Sequence, residues 1–237
     1  MTAEIFVINY YDLVLPRGVL LLMHDFEYVP NYEWEPVRDE LLDIIHRLQD
    51  EVREHFTFQY HFVGSSKRRM ITRDRNSNIG FDFDVNIEVN DPKENYDPDE
   101  IRYILRKGLD KVTNPYGFSI WGYDYTEDST RVLTIKVKDT VNSRVLHSCD
   151  FCIIYECGDG RQQYIRYNKQ QNSYTWEYQP KGYLELPAKI EWIKEHRLWQ
   201  QVRDHYLYKK NVNENPNKHS RTIFAETVHE VWQKNRA

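Results

Sequence analysis

The sequence predicts an α+β fold, a mixed sheet flanked by helices with a short helical segment at its C-terminal end. Three observations carry this. Apolar residues spaced at three and four precede the first clear strand, alternating strands fill the middle of the chain, and helical spacing returns after residue 184. At 237 residues the chain is long enough to bury a substantial core without disulfides, and we expect a core over residues 1–180 with a helical segment, 181–237, packed on it.

Pro36 leads into Val37, Leu41, Ile44, Ile45, Leu48, Val52 and Phe56, which predicts an amphipathic helix over 36–56 with the proline at its first position. The alternating Phe56, Phe58, Tyr60 and Phe62 form a strand that delivers the chain to a turn, Gly64-Ser65. Residues 79 to 89 follow as a second strand. Because successive side chains on a strand point to opposite faces, Phe81, Phe83, Val85, Ile87 and Val89 share one face, and Asp82, Asp84, Asn86 and Glu88 share the other. The two aspartates then stand side by side. Asp97-Pro98-Asp99-Glu100 reads as an N-cap, a first-turn proline and a capping-box glutamate opening a helix through Ile101, Ile104, Leu105, Leu109 and Val112. Strands are expected at 117–123, 131–138, 144–156 and 162–168. Gly158-Asp159-Gly160 reads as a hairpin turn. Helical spacing resumes with Ile190, Ile193, Leu198 and Val202, and a last helix is expected near Ser220 to Gln233, after a polar break at 211–218. The first 30 residues fit either short strands (Ile5 to Ile8, Val19 to Met23) or helix.

Two adjacent carboxylates repel each other unless they share a cation, so their pairing points to one or two divalent metals. Asp150 is the candidate third ligand. It interrupts the apolar run from Val145 to Ile154, where an unpartnered charge is costly, with small Ser148 and Cys152 on the same face. A basic cluster, Lys67, Arg68, Arg69, Arg73 and Arg75, lies between the Gly-Ser turn and the aspartates and is placed to neutralise a triphosphate. The formal charge is −5, unevenly spread. Residues 1–60 hold 12 acidic and 4 basic side chains, and residues 181–237 hold 11 basic and 7 acidic. Overall acidity argues against a long nucleic-acid track.

Together, Gly64-Ser65, Asp82-Phe83-Asp84 and Asp150 resemble the signature of the nucleotidyltransferase superfamily typified by DNA polymerase β. Within it, Phe62-Val63-Gly64-Ser65-Ser66-Lys67-Arg68 with Thr72 downstream is most similar to the oligoadenylate-synthase and bacterial cyclic-oligonucleotide-synthase branch. Met70 and Ile71 depart from that branch's small residue before the threonine, and the stretch from Thr72 to Gly80 lengthens the gap to Asp82. The resemblance covers about residues 36–155 and implies a polymerase β-like core. It further implies Gly64, Ser65 and Lys67 as nucleotide-binding residues, Asp82, Asp84 and Asp150 as catalytic metal ligands, Mg2+ or Mn2+ as the ion, and a nucleoside triphosphate as substrate. The expected reaction transfers a nucleoside monophosphate to an acceptor hydroxyl with release of pyrophosphate, making a signalling nucleotide or modifying RNA. Transfer to a protein or small molecule, as in antitoxin-like and antibiotic-modifying relatives, is the second enzyme reading, and a catalytically silent binding module is the third.

Other chemistries find less support. His147, Cys149, Cys152 and Cys157 resemble a zinc-ligand list, but an offset of three on a strand sends Cys149 and Cys152 to opposite faces. There is no Gly-x-Ser-x-Gly elbow. Three cysteines, no basic leader and no long apolar run predict a reduced, cytoplasmic protein without a membrane span. Among the aromatics, Tyr174 or Trp176 is the choice for stacking a base, against the more general expectation of cross-strand packing. Of the tail residues, Lys189, Lys194, Lys209 and Lys210 are candidates for reaching phosphates.

Overall fold

The computed structural model describes residues 24–158, 161–179 and 185–236. The N-terminal segments Ile5 to Ile8 and Val19 to Met23, most of the Gly158-Asp159-Gly160 turn, and Leu184 lie outside them.

The elements run β1 (Phe26–Tyr28), α1 (Asn31–Val52), β2 (Thr57–Val63), α2 (Gly64–Lys67), β3 (Thr72–Asp74), β4 (Ile79–Asn90), α3 (Pro98–Thr113), β5 (Glu127–Asp128), β6 (Val132–Asp139), β7 (Arg144–Glu156), β8 (Gln162–Asn168), β9 (Ser173–Tyr178), α4 (Leu186–Glu195), α5 (Trp199–Asn211) and α6 (Ser220–Arg236). A seven-stranded mixed sheet has the order β2-β4-β7-β6-β5, with β8 on β7 and β9 on β8. Only the central pair, β4 and β7, is parallel among these. The pair β1-β3 forms a separate small sheet.

The apolar residues of β4 decide which face is covered. Phe83, Val85 and Ile87 are fully buried, together with Leu41, Ile44, Ile45 and Leu48 of α1 and Leu105 and Leu109 of α3. α3 is fixed at its start by the expected capping box: the Asp97 carboxylate accepts from Glu100 N at 2.9 Å, and the Glu100 carboxylate accepts from Asp97 N at 2.9 Å. Both α helices therefore lie on one face of the sheet, and the carboxylates face away from them.

α1 starts five residues before the expected position, with Pro30 as its N-cap and Pro36 inside the helix. The interior proline removes one helical hydrogen bond, a loss offset by burial of Trp34 against Phe83, ring centroids 6.5 Å apart. The strand expected at 117–123 does not form. Gly117 and Gly122 have φ of +77° and +80°, which break an extended run, and only Tyr123 bridges to Val137.

The C-terminal helices build a second apolar cluster from Ile193, Val202, Tyr206, Ile223, Phe224, Val228 and Val231, joined by Met70 from the loop after α2. They also grip the small sheet. Asn211 accepts from Phe26 N at 2.6 Å and donates to Phe26 O at 3.1 Å, and the Tyr28 hydroxyl donates to Arg203 O at 2.8 Å.

One buried cation ties α3 to the β5-β6 turn. Arg102, 1% exposed, donates to Asp128 Oδ1 at 2.7 Å and to the carbonyls of Ser129 and Val132 at 2.6 and 2.9 Å. Its guanidinium also lies 4.3 Å from the Tyr174 ring centroid. Arg102→Met would strand these acceptors. The expected loss is about 3 kcal/mol, read as a melting temperature lower by roughly 6–12 °C.

Candidate active site

The two central parallel strands bring the three predicted carboxylates together. Asp84 pairs directly with Asp150 across β4 and β7, and Asp82 pairs with Ser148. On the other side of β7, Thr134 of β6 pairs with Asp150, and its hydroxyl donates to Asp150 Oδ1 at 2.6 Å. The order across the sheet is thus Asp84, Asp150, Thr134.

The Gly-Ser turn closes over Asp84 because β2 is the antiparallel neighbour of β4. Val63 pairs with Asp84, and the chain leaves β2 at Gly64 with φ +62°. A Cβ at Gly64 would overlap the Asp84 carboxylate Oδ2. Glycine is required here for two separate reasons, a left-handed backbone and the close approach of a carboxylate. Gly64→Ala is expected to cost about 1–3 kcal/mol of stability and to displace the Asp84 carboxylate, lowering any turnover at this site at least tenfold. Thermal melting and a rate assay read the two effects separately.

Ser65 is half-buried, whereas Ser66 is buried and its hydroxyl donates back to Val63 O at 2.9 Å. Ser66 therefore holds the turn, and Ser65 keeps its side chain for other contacts. Lys67 is exposed.

The basic cluster does not act as a unit. Arg73 is held by Glu27 and Glu33, and Arg75 by Asp25 at 2.8 Å, so both serve the β1-β3 region. Arg68 turns inward, its guanidinium 4.0 Å from the Phe224 ring centroid on α6.

Burial is the largest influence on the three carboxyls and on Lys210. It raises the Asp84 carboxyl to about 7, with the negative charges of Asp82 and Asp150 adding to the rise and Arg68 opposing it. Asp150 is raised by burial and by Asp82, against the Thr134 hydrogen bond and Lys136. Asp82 keeps solvent-exposed surface. Crowding by protein atoms still raises it, opposed by Lys210, but solvent tempers that rise and the strong effect falls on half-buried Asp84.

Of the four tail lysines, Lys210 alone approaches the carboxylates. It is 8% exposed, donates to Thr72 Oγ1 at 2.7 Å and lies 3.8 Å from the Phe26 ring centroid. Burial lowers it to about 8, against the pull of Asp82 and Asp74. Lys189 is paired with Glu185, Lys209 with Glu226 and Glu230, and Lys194 lies over Trp199. Sequence reasoning gave no way to single out Lys210, because the choice depends on how α5 docks against β3. Thr134 went unremarked because a threonine on a strand carries no signal until its cross-strand partner is known.

Tyr174 is engaged elsewhere. Its hydroxyl donates to Asp128 at 2.7 Å and its ring carries Arg102. Trp176 packs against the core and Tyr155. Both follow the cross-strand packing expectation rather than base stacking. Cys149 is buried in the core, while Cys152 is half-buried on the carboxylate side. A cavity of about 600 Å3 is lined by Glu33, Arg73, Phe81, Arg144, His147 and others, and not by the three carboxylates. The chemistry of the side chains, not the depth of a pocket, marks this site.

Among the described residues, no three His, Cys, Asp or Glu side chains converge as a ready cage for a metal. The donor set nonetheless fits a hard divalent cation. It offers only carboxylate oxygens, they are neighbours on one face, and their mutual repulsion within a half-buried site favours a shared positive charge.

No protein-family model and no curated protein matches the sequence. Solved structures do match. The GTP-bound form of DncV from Vibrio cholerae is 15% identical with a TM-score of 0.53, over 86% of this chain and 52% of that one. The 3'-deoxy ATP form is 14% identical with a TM-score of 0.53, over 86% and 53%. DncV, described as a cyclic AMP-GMP synthase, in complex with the linear intermediate 5' pppA(3',5')pG is 12% identical with a TM-score of 0.51, over 86% and 52%. The chain spans about half the length of these proteins. In its architecture, a mixed sheet flanked by helices with helices at its C-terminal end, the chain has the polymerase β-like nucleotidyltransferase fold seen in DncV.

Proposed function

We propose that this chain is a metal-dependent nucleotidyltransferase that uses a nucleoside triphosphate, with residues 1–180 as its core and 181–237 as the helical segment completing the site. The observation that carries the reading is the placement of Asp84 and Asp150 side by side on two parallel central strands, with Asp82 two residues away and the Gly64 turn closed over Asp84. The DncV structures hold GTP, 3'-deoxy ATP or a linear dinucleotide, which supports a triphosphate substrate and favours a nucleotide as acceptor over a protein or small molecule.

Asp82, Asp84 and Asp150 would hold Mg2+ or Mn2+, which supplies Lewis-acid activation of the acceptor hydroxyl and neutralisation of phosphate charge. The chain's own residues do the rest. The Gly64 backbone and the Ser65 hydroxyl orient the triphosphate, and exposed Lys67 adds charge at the rim. The acceptor oxygen forms a bond to the α-phosphorus, the bond from that phosphorus to the bridging oxygen breaks, and its electron pair leaves on pyrophosphate. Asp150, raised by burial and steadied at Oδ1 by Thr134, is suited to take the hydroxyl proton at Oδ2. Buried Lys210 keeps a positive charge beside Asp82, where incoming phosphates add negative charge.

The experiment is incubation with each nucleoside triphosphate, singly and mixed, with Mg2+ or Mn2+, and mass spectrometry of the products. Linear or cyclic oligonucleotides are expected. A nucleotide mass added to a protein or small molecule would favour the second reading. Binding without turnover in any mixture would favour a silent module.

A further inference from the structure

We propose that Arg131 and Arg166 form a second anion site, which takes the 5'-phosphates of the acceptor, so that the acceptor is itself a phosphorylated nucleotide. The inference rests on the nucleotidyltransferase reading above. β6 and β8 lie end to end along the edge of β7 that faces away from β4, with Val132 opposite Cys152 and Tyr164 opposite Ile154. Asp150, Cys152 and Ile154 alternate onto the carboxylate face, while Cys149, Phe151 and Ile153 enter the helix-covered core. Tyr164 shares the carboxylate face through its pairing with Ile154. Arg131, the residue before β6, lays its guanidinium over the Tyr164 ring, 5.3 Å from the centroid. Arg166 lies two residues beyond Tyr164 on β8, on the same face by alternation, and is exposed.

Three features point to the phosphates of a second nucleotide. The first is charge. In a chain of net charge −5, Arg38, Arg73, Arg75, Arg102 and Arg144 are all ion-paired, whereas neither Arg131 nor Arg166 makes an ion pair among the described residues. The second is preorganisation. The Tyr164 face fixes the plane of the Arg131 fork, Tyr164 is itself only 5% exposed, and Thr130 O accepts from Tyr167 N at 2.9 Å, which ties the backbone before Arg131 to β8. A guanidinium fork held in this way matches the paired oxygens of a phosphate. The third is position. Cys152 and Ile154, whose partners flank Arg131, lie two and four residues beyond Asp150, about 7 and 13 Å along the strand. A nucleotide whose hydroxyl meets Asp150 can lay its 5'-phosphates across that interval. The Gly64 turn leaves β2, at the opposite edge of the sheet beyond β4. The carboxylates thus stand between two cationic ends, one for the donor and one for the acceptor, and the two sets of phosphates are kept apart.

A donor and an acceptor that cannot exchange roles separate the two ends. A 2',3'-dideoxynucleoside triphosphate has no ribose hydroxyl to offer at those positions and serves as donor. An α,β-methylene nucleoside triphosphate cannot lose pyrophosphate and serves as acceptor, beside the matching unphosphorylated nucleoside. Transfer with Mg2+ is followed by mass spectrometry for the native chain, Arg131→Met, Arg166→Met and Arg47→Met, the last removing an exposed charge on α1, on the helix-covered face. The native KM for the methylene triphosphate is expected to be at least about tenfold below that for the nucleoside. Arg131→Met should raise the first KM about 5- to 20-fold and leave kcat, the nucleoside KM and the donor KM within about twofold. Arg166→Met should act in the same direction by less, and Arg47→Met should change nothing. Arg131→Lys keeps the charge without the fork and should fall between. Melting temperatures check that each variant is folded, and if Arg131→Met does not fold, Arg131→Lys decides. Equal native KM values for the two acceptors, an equal rise of both in the Arg131 variants, or better use of an RNA 3' end than of the methylene triphosphate overturns the assignment and leaves the transferase reading intact. If the native chain releases no pyrophosphate from any mixture of natural nucleoside triphosphates, the reading beneath it fails as well.

Discussion

Asp84→Asn is expected to lower nucleotidyl transfer by at least about 10^3-fold while leaving the protein as stable as the native chain or more so. Asparagine keeps the shape under Gly64, where Asp84 Oδ2 fills the space a Cβ would take. It removes the negative charge that repels Asp82 and Asp150. A residue placed for structure should destabilise when replaced. One placed to bind a cation should do the reverse, because its charge is a burden on the fold until the cation neutralises it. Steady-state rates and a denaturant midpoint on the same preparation separate the two.

The second large effect concerns pH. Asp84 ionises near 7 in the folded protein against 3.8 as its ordinary value, so the folded state holds a proton that the unfolded chain has already lost. The associated stability is fully present below pH 4 and disappears as pH rises through 7. For Asp84 alone this amounts to about 2–4 kcal/mol. The native chain without divalent cations is therefore expected to melt at lower temperature at pH 8 than at pH 5.5. Asp84→Asn should flatten that slope. Millimolar Mn2+ should raise the melting temperature at pH 8 more than at pH 5.5, since the cation competes with the proton for the same oxygens. Equal slopes in the native chain and Asp84→Asn would contradict the assignment of charge to this cluster.

The parts of the site written in local pattern were legible in the sequence. Alternation placed Asp82 and Asp84 on one face and put Phe83 and Val85 in the core, as β4 shows. The interruption of an apolar strand drew attention to Asp150, and its pairing with Asp84 follows from β4 and β7 being parallel neighbours. Glycine at 64 was visible as a turn. Its second role, making room for the Asp84 carboxylate, depends on β2 lying beside β4.

What sequence pattern missed is long-range. Thr134 meets Asp150 only because β6 folds back onto β7, and Lys210 comes near enough to feel the charge of Asp82 only because α5 docks against the β1-β3 region. The basic run read as one patch because neighbours in sequence were treated as neighbours in function. Acidic residues 40 to 50 positions away claim Arg73 and Arg75. Local signals failed in two places as well. A proline marked the start of α1 one and a half turns late, since burial of Trp34 outweighs the lost hydrogen bond. The strand expected at 117–123 lost to two glycines with positive φ.

The account stands or falls on the three carboxylates acting together on a triphosphate. The most direct measurement is pyrophosphate release from a mixture of the four nucleoside triphosphates with Mg2+ or Mn2+, by the native chain and by Asp82→Ala/Asp84→Ala. The native chain should release pyrophosphate only when the cation is present, and the double variant should release none while remaining folded. Release that continues without a cation, or at the same rate in the double variant, would contradict it.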